Sequence, residues 1–72
     1  MSVKERNAVV PENIKRIMAE KGLKCGAVAN WAGITVAAFS NMLNGRQIID
    51  ANDLVAIADA LNVTPNDLFQ RG

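Results

Sequence analysis

The side chains that could carry out covalent or metal chemistry are few in this sequence. It contains no histidine and a single cysteine, Cys25, so the commonest general base and the commonest metal ligand are missing. Ser40 has no placed base beside it, and Asp50 and Asp53 stand at a predicted helix start, where carboxylates cap the helix and favour its dipole. We therefore expect no catalytic site, no metal and no cofactor, and a protein that is not an enzyme.

The charged residues are distributed unevenly along the chain, although the net charge is only +1. Residues 1–48 carry a net charge of +4, and residues 49–72 carry a net charge of −3. A domain with this polarity could present its basic half to phosphate groups. The alternative interpretation is a chance scatter of surface charge.

Length and composition indicate one small domain. The chain has 72 residues, half of them hydrophobic, which allows a single core. Cys25 cannot form an internal disulfide, which is typical of a reducing compartment. Residues 1–10 lack the apolar run of a signal peptide, and no stretch approaches the ~20 apolar residues of a membrane span. We expect a cytoplasmic protein without a membrane partner.

Helix start and stop signals recur at short intervals and predict an all-α fold. Pro11 suits the first position of a helix, and Gly22 is typical of the residue that follows a helix end. Residues 11–70 are expected to form the domain, and residues 1–10 an N-terminal arm. The pattern predicts five short helices, at about 11–21, 25–31, 36–43, 51–61 and 65–70.

The second and third predicted helices are joined by a short turn, Ala32-Gly33-Ile34-Thr35. Gly33 permits a sharp change of direction, Ile34 can enter the core, and Thr35 can cap the next helix. Two short helices joined in this way form a helix-turn-helix, whose second helix can enter the major groove of DNA.

From about Ile14 to Phe69 the sequence resembles the lambda-type repressor and Cro helix-turn-helix family, often called the XRE family. No single pair of residues is specific to that family, but the ordered set is. The resemblance implies a lambda repressor-like fold in which the third helix is the recognition helix. The residues that carry it are Ile14-Lys15-Arg16-Ile17, Lys21-Gly22-Leu23, Val28-Ala29, Ala32-Gly33-Ile34-Thr35, Asn44-Gly45-Arg46, Leu54, Ile57-Ala58, Ala60-Leu61, Val63 and Asp67-Leu68-Phe69.

The geometry of the third helix is compatible with that role. At about 100° per residue, the residues Val36, Ala37, Ser40, Asn41 and Asn44 fall within one arc of about 140°. Asn41 could form hydrogen bonds with a base edge, and Val36 and Ala37 could contact thymine methyl groups. Ser40 and Asn44 could reach phosphates or sugars.

Four further residues complete the expected DNA-binding set. Lys24, Arg46 and Gln47 lie at the two ends of the motif and are expected to contact phosphates. Cys25 is expected to be a small filler at the start of the second helix, with a redox switch as the alternative. Many relatives carry Gln or Arg on the recognition face and Gln at the position of Cys25, so this face has fewer and shorter polar side chains.

The function expected from these observations is sequence-specific binding of double-stranded DNA by a transcriptional regulator. We expect a phage- or mobile-element-type repressor or a Cro-like protein that acts as a homodimer. The chain leaves no room for a ligand-sensing domain, so no small-molecule ligand is expected. The alternative is a protein-interaction module that keeps the helix-turn-helix fold without binding DNA.

Three expectations concern particular side chains. Trp31 is expected to be partly buried by its own chain. Leu68 and Phe69 are candidates for the dimer contact, because relatives often pair through the C-terminal helix. Relatives also frequently form a buried ion pair where this chain has Met18 and Leu43. We therefore expect these two apolar side chains to be mostly buried and to contact each other.

Overall fold

The computed structural model of the chain describes residues 3–70, with side chains from residue 9 onward. Over this range the secondary structure consists of helices without any strand, which confirms the predicted all-α class. No helix in this range is both long enough and apolar enough to cross a membrane. The α-helices are α1 (Val3–Lys21), α2 (Cys25–Ala32), α3 (Val36–Leu43) and α4 (Ala51–Leu61), and a 3₁₀ helix follows at Pro65–Leu68.

Helix α1 begins eight residues earlier than predicted. Its first residue is Val3, and Pro11 lies inside the helix instead of at its first position. The prediction of a start at Pro11 was wrong because proline is tolerated at the first turn but does not require a helix to begin there. Pro11 is also buried, so packing helps to hold it within the helix. Residues 3–10 of the predicted N-terminal arm are thus helical.

The remaining elements agree more closely with the sequence. Helices α3 and α4 have the predicted bounds, and α2 continues one residue further, to Ala32. The fifth helix is a correction, because it is a four-residue 3₁₀ helix instead of an α-helix that reaches Gln70. At its last residue and just beyond it, the backbone carbonyls of Leu68 and Gln70 accept hydrogen bonds from Asn13 of α1.

The core is apolar and draws on every helix. Helix α2 packs against α3 and α4, and α1 packs against α3 and the 3₁₀ helix. The central side chains are fully shielded from solvent, as expected of a domain that depends on one close-packed core. The buried apolar residues are Ile14, Ile17, Met18, Val28, Ala29, Phe39, Met42, Leu43, Ile57, Ala58, Leu61 and Leu68.

Two side chains of α1 tie it to the C-terminal half by hydrogen bonds. The buried Asn13 donates from Nδ2 to the carbonyl oxygens of Leu68 (2.8 Å) and Gln70 (2.6 Å). Lys21 donates from Nζ to the carbonyl oxygen of Leu61, at 2.7 Å, at the C-terminus of α4. Buried polar groups are tolerated when they are paired in this way, and a cation is favourable at a helix C-terminus. Helix α1 is therefore held to both α4 and the 3₁₀ helix.

Candidate nucleic-acid interface

The turn between α2 and α3 sets the position of the third helix. Gly33 has φ = 75°, in the left-handed region that favours glycine. The N–H of Ile34 donates to the carbonyl oxygen of Ala29 at 3.0 Å, which closes the end of α2. Thr35 then accepts a hydrogen bond from the N–H of Ala38 at its Oγ1, at 3.1 Å, and so caps α3. The turn is thus defined at both ends by hydrogen bonds, as a helix-turn-helix requires.

Helix α3 has an inward face and an outward face, as its sequence predicts. On the inward face Phe39, Met42 and Leu43 are buried and Ala38 is half-buried. The outward face, which we define as Val36, Ala37, Ser40, Asn41 and Asn44, is exposed except for the half-buried Asn41. Val36 is 54% exposed, so its methyl groups are open to solvent. The predicted division of the helix into two faces is confirmed, and the α3 side chains expected to meet bases or the sugar-phosphate backbone lie on the outward face.

The loop after α3 folds back onto that helix. Gly45 has φ = 75°, and the chain reverses after it. The N–H groups of Arg46 and Gln47 both donate to the carbonyl oxygen of Asn41, at 2.8 and 3.3 Å. Arg46 and Gln47 are therefore held beside the last turn of α3, with both side chains exposed. This arrangement is a local helix end, in which the left-handed glycine returns the following N–H groups to the last turn of the helix.

The N-terminus of α2 differs from those of α3 and α4. Its N-cap residue, Lys24, forms no side-chain cap, whereas Thr35 and Asp50 cap α3 and α4. Lys24 and the first helical residue, Cys25, are both exposed. The first N–H groups of a helix need partners outside it, and they favour an anion. A lysine side chain at this position adds a full positive charge to that preference.

Acidic residues are absent from the stretch of chain that contains the helix-turn-helix. No acidic residue occurs between Glu20 and Asp50, and this stretch contains Lys21, Lys24 and Arg46. Among the side chains described, residues 9–70, neither Lys24 nor Arg46 takes part in an ion pair. The helix-turn-helix and its flanking residues are thus free of negative side chains, and counting acidic residues segment by segment would have revealed this from the sequence.

Two expectations about apolar residues are corrected by the fold. Trp31 is 58% exposed, because it lies roughly 110° around α2 from the centre of the buried face formed by Val28, Ala29 and Ala32. Leu68 is fully buried, so it is unavailable for a contact between subunits.

Phe69 and Ile48 are the exposed apolar residues near the C-terminal end. Phe69 is 55% exposed, and Ile48 is almost fully exposed. Both line an open surface cavity of about 240 Å³, whose wall also includes Pro11 and Leu54. Of the two residues expected at the dimer contact, Phe69 alone remains available.

The expected burial of Met18 and Leu43 is confirmed. Met18 is 6% exposed and Leu43 is 8% exposed, and both belong to the same core cluster. Helices α1 and α3, which carry them, pack against each other. Their direct side-chain contact stays a prediction.

Most of the chain matches a known protein family. The family model described as the Cro/C1-type HTH DNA-binding domain matches residues 13–71. No curated protein matches the sequence. The matched region includes the whole of α2, the turn, α3 and α4, and therefore contains the outward face and the loop that follows it. The chain belongs to the family of Cro/C1-type helix-turn-helix DNA-binding domains.

Proposed function

We propose that this protein regulates transcription by binding specific sites on double-stranded DNA, with α3 in the major groove. The observation that carries the proposal is the exposed outward face of α3, held by a capped turn within a stretch free of acidic residues. A major groove about 12 Å wide admits an α-helix. In this arrangement Asn41 recognises a base edge, and Ser40 and Asn44 contact the sugar-phosphate backbone.

The phosphate contacts come from the two ends of the motif. Lys24 and the uncapped start of α2, including Cys25, bind one phosphate group, because open N–H groups and a cation both attract an anion. Arg46 and Gln47, held beside the last turn of α3, bind another. Such contacts orient the protein on the duplex and supply much of the affinity, whereas base contacts supply the specificity.

The proposal includes a homodimer with one copy on each half-site. Half-sites of this class of protein are about 34–36 Å apart, one helical turn of DNA. The molecule measures 33 × 22 × 20 Å, so two copies on adjacent half-sites would meet without a long linker. The exposed Phe69 is the candidate for the contact between them.

As a regulator, the protein would be a repressor or Cro-like protein of the phage or mobile-element type and would act in the cytoplasm. It would respond to its own concentration, to a partner protein or to proteolysis, and not to a small-molecule ligand. What supports this part of the proposal is the match of residues 13–71 to the Cro/C1-type HTH DNA-binding domain.

The test is DNA binding at two salt concentrations. Duplexes selected by the protein from a randomised library are labelled, and their affinity is measured by fluorescence anisotropy at about 50 mM and about 200 mM salt. We expect the affinity to fall steeply with salt, with a slope of about −0.9 for each phosphate neutralised. Substitution of both Lys24 and Arg46 by Ala should lower the magnitude of that slope by about 1.8, the value for two phosphate contacts.

The alternative, a protein-interaction module without DNA binding, is favoured by the apolar side chains Val36 and Ala37 on the outward face. It predicts that no duplex is enriched from the library and that any residual binding is unaffected by the loss of Lys24 and Arg46. This outcome would overturn the proposal of DNA binding.

A further inference from the structure

The first turn of the outward face is entirely aliphatic. Val36 and Ala37 are the first two residues of α3, and both are exposed. The helix contains no charged residue, and Asn41, more than one turn later, carries its only side-chain amide. Apolar groups at the exposed start of a helix have no role in the core, and Val36 does not contribute to the core cluster. A groove-facing function accounts for their place on the surface.

We propose that Val36 and Ala37 make this protein a reader of pyrimidine C5-methyl groups. The inference rests on the proposed function, because it requires α3 to enter the major groove. Aliphatic side chains neither donate nor accept hydrogen bonds, so they cannot distinguish the donor and acceptor patterns of base edges directly. The C5-methyl group of thymine is the apolar feature of the major-groove edge, and contact with it removes apolar surface from water on both partners.

This mode of recognition has a consequence for modified DNA. The methyl group of 5-methylcytosine occupies the same C5 position as that of thymine. A site recognised by hydrogen bonds distinguishes these bases, because thymine presents an acceptor and cytosine a donor. A site recognised through its methyl group accepts 5-methylcytosine in place of thymine and discriminates against uracil and unmodified cytosine. Binding by this protein should therefore depend on methylation at the base pairs that Val36 and Ala37 contact.

The experiment uses the full chain and one duplex selected from a randomised library. Each T·A pair of the duplex is replaced in turn by U·A, by C·G and by 5-methylcytosine·G, and the dissociation constants are measured at fixed salt. At one or more pairs we expect uracil to weaken binding by about fourfold, the factor that corresponds to one buried CH₂-sized group. At the same pairs 5-methylcytosine should bind more tightly than cytosine.

Matched variants assign the effect to α3. The double variant Val36→Ser, Ala37→Ser replaces the methyl groups of both side chains by hydroxyl groups, and it should abolish the preference for thymine over uracil. The double variant Ala51→Ser, Val55→Ser makes the same changes at an exposed alanine and an exposed valine of α4 and should leave that preference unchanged. Thermal unfolding of both variants checks that they are folded.

Three results would overturn the inference. Equal binding of thymine and uracil at every pair excludes a methyl contact, and a thymine preference that survives the double variant Val36→Ser, Ala37→Ser assigns the contact to other residues. Either result, obtained with steep salt-dependent binding, leaves the proposed function intact. The absence of any salt-dependent DNA binding overturns both proposals together.

Discussion

The inward and outward faces of α3 differ in burial and in the character of their side chains. The inward face buries Phe39, Met42 and Leu43 in the core, while the outward face exposes small and weakly polar side chains. Both faces belong to the same nine consecutive residues, 36–44, so the two properties share one backbone. Because the two faces have different surroundings, the position of the helix and its proposed recognition of DNA are separable. Inward changes should act on stability, and outward changes should act on recognition.

The largest effect is expected from a charge on the inward face. Leu43→Glu places a carboxylate where the side chain is 8% exposed and should destabilise the fold by about 3–5 kcal/mol, because the charge has no partner. The free energy of unfolding is measured by urea denaturation. Adding Met18→Arg should recover part of the loss, because the two charges would then pair across α1 and α3. The proposed contact would be refuted if the unfolding free energy of the double variant were no higher than the sum of the two single effects predicts.

A buried contact remote from α3 tests whether stability alone alters recognition. Asn13→Ala removes the side chain that donates to the carbonyl oxygens of Leu68 and Gln70. Leaving buried acceptors unpaired should cost about 1–3 kcal/mol in unfolding free energy. Below the melting temperature, the base preference of the folded protein should equal that of the parent. A changed base preference would show that stability and base recognition are not independent in this protein.

Loss of the amide on the outward face should alter recognition without altering stability. Asn41→Ala is expected to reduce discrimination at one base position by about 1–3 kcal/mol, because the proposed hydrogen bonds to the base edge are lost. Its unfolding free energy should change little, since the side chain makes no hydrogen bond within the described residues. Asn52→Ala, at an exposed position of α4, is the matched control. Unchanged binding to every single-base variant of the site would contradict the assigned role of Asn41.

The smallest effect is expected from a phosphate contact beside the outward face. Arg46→Ala should weaken binding to all sequences alike and reduce the magnitude of the salt slope by about 0.9, the value for one phosphate. Asn66→Asp changes the net charge by the same amount at an exposed position of the 3₁₀ helix. A change in base preference caused by Arg46→Ala, or an equal slope change in the control, would show that the contact is wrongly assigned.

Local signals predicted most of the fold. Thr35 and Asp50 marked the starts of α3 and α4, where each side chain accepts a hydrogen bond from a backbone N–H of the first turn. The left-handed conformation of Gly33 was predictable because glycine adopts it without a steric penalty. The faces of α3 followed from helical periodicity. In each case the determining interaction joins residues close together in the chain.

The errors came from contacts that join residues distant in the sequence. The fifth helix ends at Leu68, whose carbonyl oxygen accepts a hydrogen bond from Asn13, 55 positions earlier in the chain. Trp31 was misjudged because the exposure of a side chain depends on which neighbouring helices cover it.

The sequence alone determined the helix boundaries set by caps and glycines, the two faces of α3 and the absence of acidic residues from the motif, because these depend on residue type and short spacing. Tertiary structure decided which apolar residues remain at the surface: Leu68 is buried, whereas Phe69 and Trp31 are exposed. The physical reason is that burial depends on how α1, α3, α4 and the C-terminal segment pack together, and no local pattern of residues records that packing.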